Sequence, residues 1–161
     1  MIGPGLLVLR LALATVLVAH GGHELFGLFG GPGAGPAGLT QMAAHFASIG
    51  LSPGLFFAVL IGFGRLGGGV LIGVGYFTRW VALALAVFEG LEIWKDFARW
   101  GLFLNWSLDP TRGHGMEYAV VMIAALVCLT LAGSGEWSID GVRSRSAASR
   151  AAGRARLRDR V

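Results

Sequence analysis

Along a strongly apolar chain, a small set of ionisable residues recurs at helical spacing. His20, His23 and Glu24 stand at i, i+3 and i+4, so they can share one helix face. Glu89, Glu92 and Asp96 do the same, with Lys95 beside them. Arg65 interrupts a glycine-rich apolar run, and His114 and Glu117 lie three residues apart. Imidazoles and carboxylates exchange protons and hydrogen bonds, which suits them to hold a polar head group. The same residue types ligate metals, and His20, His23, His114, Glu24 and Glu117 are suitable ligands. No HxxxH, HExxH or carboxylate–histidine repeat is present, however, so no metal is expected. The candidate ligand-binding residues are therefore His20, His23, Glu89, Glu92, His114 and Glu117.

The elements that position these groups follow from composition. The 161 residues are 55% hydrophobic and 14% charged, with mean hydropathy +0.68. A soluble protein averages about 25% charged residues. A chain of this size cannot hide so much apolar side chain from water, which argues against a soluble enzyme. A disordered chain needs the opposite composition. A bilayer core of about 30 Å needs roughly 20 apolar helical residues. Four stretches qualify, at about residues 5–29, 54–77, 80–100 and 116–132. They are continuous rather than alternating, which favours helices over barrel strands. The first has no basic residue before Arg10 and no obvious cleavage site, so it reads as a span rather than a signal peptide. Between the first two spans, Leu39, Met42, Phe46 and Ile49 recur at helical spacing. The expected fold is all-α: an integral membrane four-helix bundle with a short interfacial amphipathic helix over 39–51. Glycine and proline break the chain at 30–38 and 50–54, Tyr76–Arg79 is a tight hairpin, and 105–115 is a loop.

Charge gives the orientation. Residues 142–161 carry seven arginines and one acid, a net of +6, and leave −2 on the rest. The chain divides into a four-span domain at 1–141 and a basic tail at 142–161, disordered or a helix on the membrane surface. The positive-inside rule places the tail, Arg79 and both termini in the cytoplasm of a bacterial inner membrane, with Arg99 and Arg112 voting the other way. Anionic lipid headgroups are the natural partner of such a tail. Nucleic-acid binding would need basic residues spread over a folded surface, and none is expected. The lone Cys128 excludes an internal disulfide and reads as a small buried hydrophobe.

Depth then sorts the polar residues. Arg10 lies about 7 Å into the first span and is expected to snorkel to the cytoplasmic surface. His20, His23, Glu24, Arg65, Glu89, Glu92, His114 and Glu117 all fall in the outer half, forming one polar layer fed by four helices. Phe26, Phe88 and Trp94 are its expected apolar walls. In the second span, Gly64/Gly68 and Gly69/Gly73 are GxxxG pairs, which predict close helix packing inside the bundle or a homodimer seam.

Several of these pieces resemble the DoxX family of small four-helix membrane proteins. They are Arg10 with His20-Gly21 and Leu25-Phe26-Gly27, then the run Phe46 to Pro53, and Gly68-Gly69 followed by Gly75-Tyr76-Phe77-Thr78-Arg79. Asn105-Trp106, Gly115-Met116-Glu117-Tyr118 and the run Gly133 to Asp140 extend the resemblance to about residues 5–141. Family members commonly carry Lys where this chain has Glu24 and Glu where it has Arg65. A paired reversal of sign is what a direct contact would permit, so a Glu24–Arg65 ion pair is expected.

The resemblance implies membrane redox chemistry, since some relatives are subunits of thiosulfate:quinone oxidoreductase. On that basis the expected function is a membrane subunit binding quinone, or a similar lipid-soluble partner, in the outer-half polar layer. No redox centre is visible in this chain, so a cofactor or a redox partner subunit must carry electrons. The alternative is a non-enzymatic scaffold, or a carrier of small solute or lipid, with structural buried ion pairs. Whether the chain is an enzyme is open at this point.

Overall fold

The structure, a computed structural model, describes residues 2–30 and 35–158. Among them every regular element is helical. Helix α1 runs Ile2–Phe26, α2 Gly35–Ser48, α3 Gly54–Val74, α4 Thr78–Lys95, α5 Glu117–Ala132 and α6 Ile139–Arg158, with a 3-10 turn at Phe97–Trp100 between α4 and α5. Part of the glycine/proline break at 30–38 lies outside the described residues, and so do Asp159 and Arg160 of the tail.

Helices α1 and α3 are long and apolar enough to cross a membrane. The other two expected spans are shorter than the sequence predicts. Helix α4 stops at Lys95, because the chain tightens into the 3-10 turn before reaching Trp100. Helix α5 has 16 residues, about 24 Å of rise. All four still share one core. Leu13 and Leu17 of α1, Ile72 of α3, Leu85 of α4, and Met122, Leu126 and Leu129 of α5 form its centre. A second, smaller core joins α2 to α3 through Phe46, Ala58 and Ile61.

Glycine lets α1 and α3 touch backbone to backbone. A Cβ on Gly21 would stand 2.5 Å from the Leu66 amide nitrogen and 2.7 Å from the Gly62 carbonyl oxygen. Neither can move without unravelling α3. Gly21→Val is therefore expected to destabilise the protein by about 1–3 kcal/mol, read as a lower thermal unfolding midpoint in detergent. Gly69 and Gly73 also face α1, where an added Cβ would stand 2.9 Å from Leu17 Cβ and 3.1 Å from Ala14 Cβ respectively. Gly68 packs on Leu85 of α4, whereas Gly64 meets nothing within 4 Å. The second GxxxG pair thus works inside the fold, and the first is divided between an internal contact and the outer surface.

At the opposite end from Glu24, Glu89 and Glu92, Arg10 is a structural clasp. It was expected to snorkel to the surface, but it is 2% exposed. Its guanidinium donates to the carbonyls of Ile72 at 3.0 Å, Gly73 at 2.7 Å, Ser134 at 2.7 Å and Trp137 at 3.0 Å. The first two are carbonyls in the last turn of α3, where a cation is favoured, and Ile72 also accepts from the Gly75 amide. Gly75 adopts φ +71° to end α3, and a Cβ there would stand 2.9 Å from the Arg10 guanidinium carbon. The next helix is capped from far along the chain. Asp140 accepts from the Phe77 amide at 3.1 Å, the Thr78 amide at 3.0 Å and the Thr78 hydroxyl at 3.2 Å. This carboxylate both satisfies the first amides of α4 and holds Phe77 at φ +50°. Asp140→Ala is expected to cost about 1–2 kcal/mol, measured as a fall in unfolding midpoint.

One further expectation needs correction. Cys128 is exposed on the outer face of α5 rather than buried, because its neighbours Leu126 and Leu129 take the core-facing positions. The basic tail continues as α6, and its side chains over 142–154 are exposed.

Candidate functional site

The close approach at Gly21 and Gly62 brings the ends of α1 and α3 together and sets Glu24 opposite Arg65. The Arg65 Nη1 donates to Glu24 Oε1 at 2.6 Å. Its Nη2 donates to both oxygens of Glu92 on α4, at 2.7 and 2.9 Å, and lies 3.7 Å from Glu89 Oε1. One guanidinium therefore serves three carboxylates from two helices packed on its own. Charge-assisted bonds of this length are strong, and Arg can fork where Lys cannot. Glu24 Oε2 is buried without a hydrogen-bond partner. Among the described residues, no group of three or more His, Cys, Asp or Glu side chains is placed to hold a metal ion.

Beside this cluster opens a cavity of about 480 Å³. Four of the six candidate ligand-binding residues line it: His20, Glu89, Glu92 and His114. The His20 ring lies 6.1 Å from that of Tyr118, centroid to centroid. His114 Nδ1 accepts the Asn105 amide at 3.3 Å, which assigns the proton of the neutral ring to Nε2. The other two candidates do not reach the cavity lining. His23 Nδ1 sits 3.2 Å from the Leu28 carbonyl, where the chain turns back at the end of α1. Glu117 Oε2 accepts the Leu104 amide at 3.2 Å and so fastens the loop before α5.

The walls also differ from expectation. Trp94 and Phe26 are 72% and 58% exposed on the outer surface, and Phe88 packs into the small α2–α3 core. Leu17, Met42, Phe46, Ile49 and Phe97 form the apolar lining instead. Phe97 arrives there because α4 ends early and the 3-10 turn redirects the chain. Helix α2 closes one side of the cavity, and its His45 Nε2 lies 3.0 Å from Asp96 Oδ2. Asp96 also accepts from Arg99 at 2.5 Å. His45, Asp96 and Tyr118 were not among the candidates. The signal for His45 was available, since Met42, His45, Phe46 and Ile49 fall on one helical face.

The loop between the 3-10 turn and α5 is built on Asn105. Its buried amide donates to the carbonyls of Asp109 at 2.8 Å and Arg112 at 2.7 Å, and its oxygen accepts the Asp109 amide at 3.1 Å. Asp109 in turn takes the Thr111 hydroxyl and amide, which hold its carboxyl below the usual carboxylate range. This turn fixes His114 at the cavity. Asn105→Leu is expected to free the loop, read as faster amide hydrogen exchange over 105–116 with α1 and α3 unchanged.

Helices with apolar outer faces around an internal ion-pair cluster and an apolar cavity define an all-α membrane protein. The DoxX family profile matches residues 5–95, more than half of the chain, and the protein belongs to the DoxX family. No curated protein and no solved structure matches it.

Proposed function

We propose that this chain is a four-span subunit of a membrane redox system that binds quinone, or a similar lipid-soluble partner, in the cavity beside Arg65. The observation that carries the reading is the cavity itself. Its lining combines apolar side chains for an isoprenoid-like tail with His20, Glu89, Glu92, His114 and Tyr118 for a polar head group. A quinone supplies the capacity to carry two electrons and two protons, and a partner subunit would exchange the electrons. This chain's residues would bind the head group, orient it and take up or release protons at carboxylate and imidazole.

The four-span topology draws support from exposed apolar side chains on every core helix, including Val8, Val70, Val87 and Val121. The chain alternates direction through α1, α3, α4 and α5, so Arg10, Gly75 and Asp140 share one end and Glu24, Arg65 and Glu92 the other. With the arginine-rich α6 in the cytoplasm of a bacterial inner membrane, the cavity faces the outer half. The exposed Gly64 face remains open to a homodimer contact, and α6 to anionic lipid.

The test is a titration of the detergent-purified protein with a short-tailed benzoquinone. Saturable binding is expected, weakened about tenfold or more in His20→Ala, the scale of a lost hydrogen bond to a polar head group. Absence of saturable binding to the wild type would favour a scaffold or solute carrier, whose ion pairs only hold the helices together.

A further inference from the structure

Hydrogen-bonding capacity around Arg65 is unbalanced, and the imbalance reaches the cavity through Glu89 and Glu92, which line it, while Glu24 does not. Three carboxylates (Glu24, Glu89 and Glu92) share the one guanidinium of Arg65. Glu92 has both oxygens engaged. Glu24 Oε2 is buried without a partner, and Glu89, 4% exposed, reaches Arg65 only at 3.7 Å, beyond hydrogen-bond length. Asp96 adds no spare cation to the cluster, since Arg99 and His45 are drawn to it. Carboxylates only accept; the Tyr118 hydroxyl and the His20 ring both donate and accept, and His114 can donate through Nε2, but none of them is bonded to Glu89. Arg65, the strongest donor present, is directed at protein carboxylates rather than at a ligand.

From this imbalance we infer that the cavity selects a lipid-soluble molecule whose head group donates hydrogen bonds or carries positive charge, over one whose head group only accepts. A hydroxyl or ammonium group beside Glu89 satisfies an unmet acceptor and offsets the excess negative charge. A carbonyl placed there meets a carboxylate instead. The inference rests on the reading of the cavity as a site for a lipid-soluble ligand. If that ligand is a quinone, the site favours the reduced quinol. A tenfold preference would raise the two-electron potential of the bound couple by about 30 mV. The same chemistry is offered by an amphiphilic amine.

The experiment uses the full chain in detergent, under anaerobic conditions, with two matched pairs of probes: a short-tailed benzoquinol against its quinone, and dodecylamine against N-dodecyl-N-methylacetamide, a tertiary acetamide that only accepts. We expect the quinol to bind at least tenfold tighter than the quinone, the preference to fall to about twofold in Glu89→Gln, and Glu89→Asp to retain most of it. If the amine binds at least tenfold tighter than the acetamide and neither quinol nor quinone binds, the donor rule stands and the quinone assignment falls. If quinone binds as tightly as quinol, the donor rule is overturned while the quinone assignment survives. If no probe binds saturably, both are overturned. An unchanged preference in a folded Glu89→Gln protein overturns the role given to this carboxylate.

Discussion

Replacing Arg65 by methionine is expected to destabilise the protein by about 3–5 kcal/mol, the scale seen when one partner of a buried charge pair is removed. Glu24, Glu89 and Glu92 would then face one another across α1 and α4 with no cation among them. Thermal unfolding in detergent reads the loss directly. Arg65→Glu goes further, because it assembles four carboxylates at one point. Adding Glu24→Lys to that variant returns one cation to the cluster and restores its net charge, while moving the positive group from α3 to α1. The double variant is expected to regain most of the stability that Arg65→Glu loses. A double variant no more stable than the single one would show that the position of the cation, and not its presence, holds the helices.

The second large effect is expected at the other end of the molecule. Arg10→Met removes four hydrogen bonds and leaves the carbonyls of Gly73, Ser134 and Trp137 without that donor, while Ile72 keeps only the Gly75 amide. A loss of about 3–5 kcal/mol follows from unsatisfied buried polar groups of this number. Because Arg10 ties the segment after α5 to the end of α3, hydrogen exchange should rise first over 133–138. The cavity lies at the far end and should keep its ligand affinity under conditions where the variant is folded. Parallel loss of binding and stability would contradict that separation.

The polar layer was legible in the sequence because charge inside an apolar helix has few ways to be tolerated. Glu24 and Arg65 were linked by their opposite signs and by the reversal against the family pattern. The structure then adds Glu92, a ligand-binding candidate in the sequence, whose two carboxylate oxygens both accept from Arg65. Helical periodicity alone could not show this, because it depends on how far α4 rotates toward α3. The role of Arg10 was hidden for a related reason. Snorkelling follows from depth alone, whereas the clasp requires the segment at Ser134 to return to the end of α3, a contact spanning 124 residues. Trp94 and Phe26, expected as walls, lie on outward faces of their helices. The cavity wall comes instead from α2 and Phe97, placed by where α4 stops.

The central claim, that the cavity houses a quinone, is tested most directly by what the protein retains from its own membrane. The full chain would be purified from native membranes in mild detergent, extracted with organic solvent and analysed by mass spectrometry against the total membrane extract. The account predicts quinone enriched over the membrane background at close to one molecule per chain, and lost when Met42→Trp fills the cavity from the α2 side in a protein that still folds. Phospholipid alone, or quinone at the background ratio that Met42→Trp leaves unchanged, would contradict it.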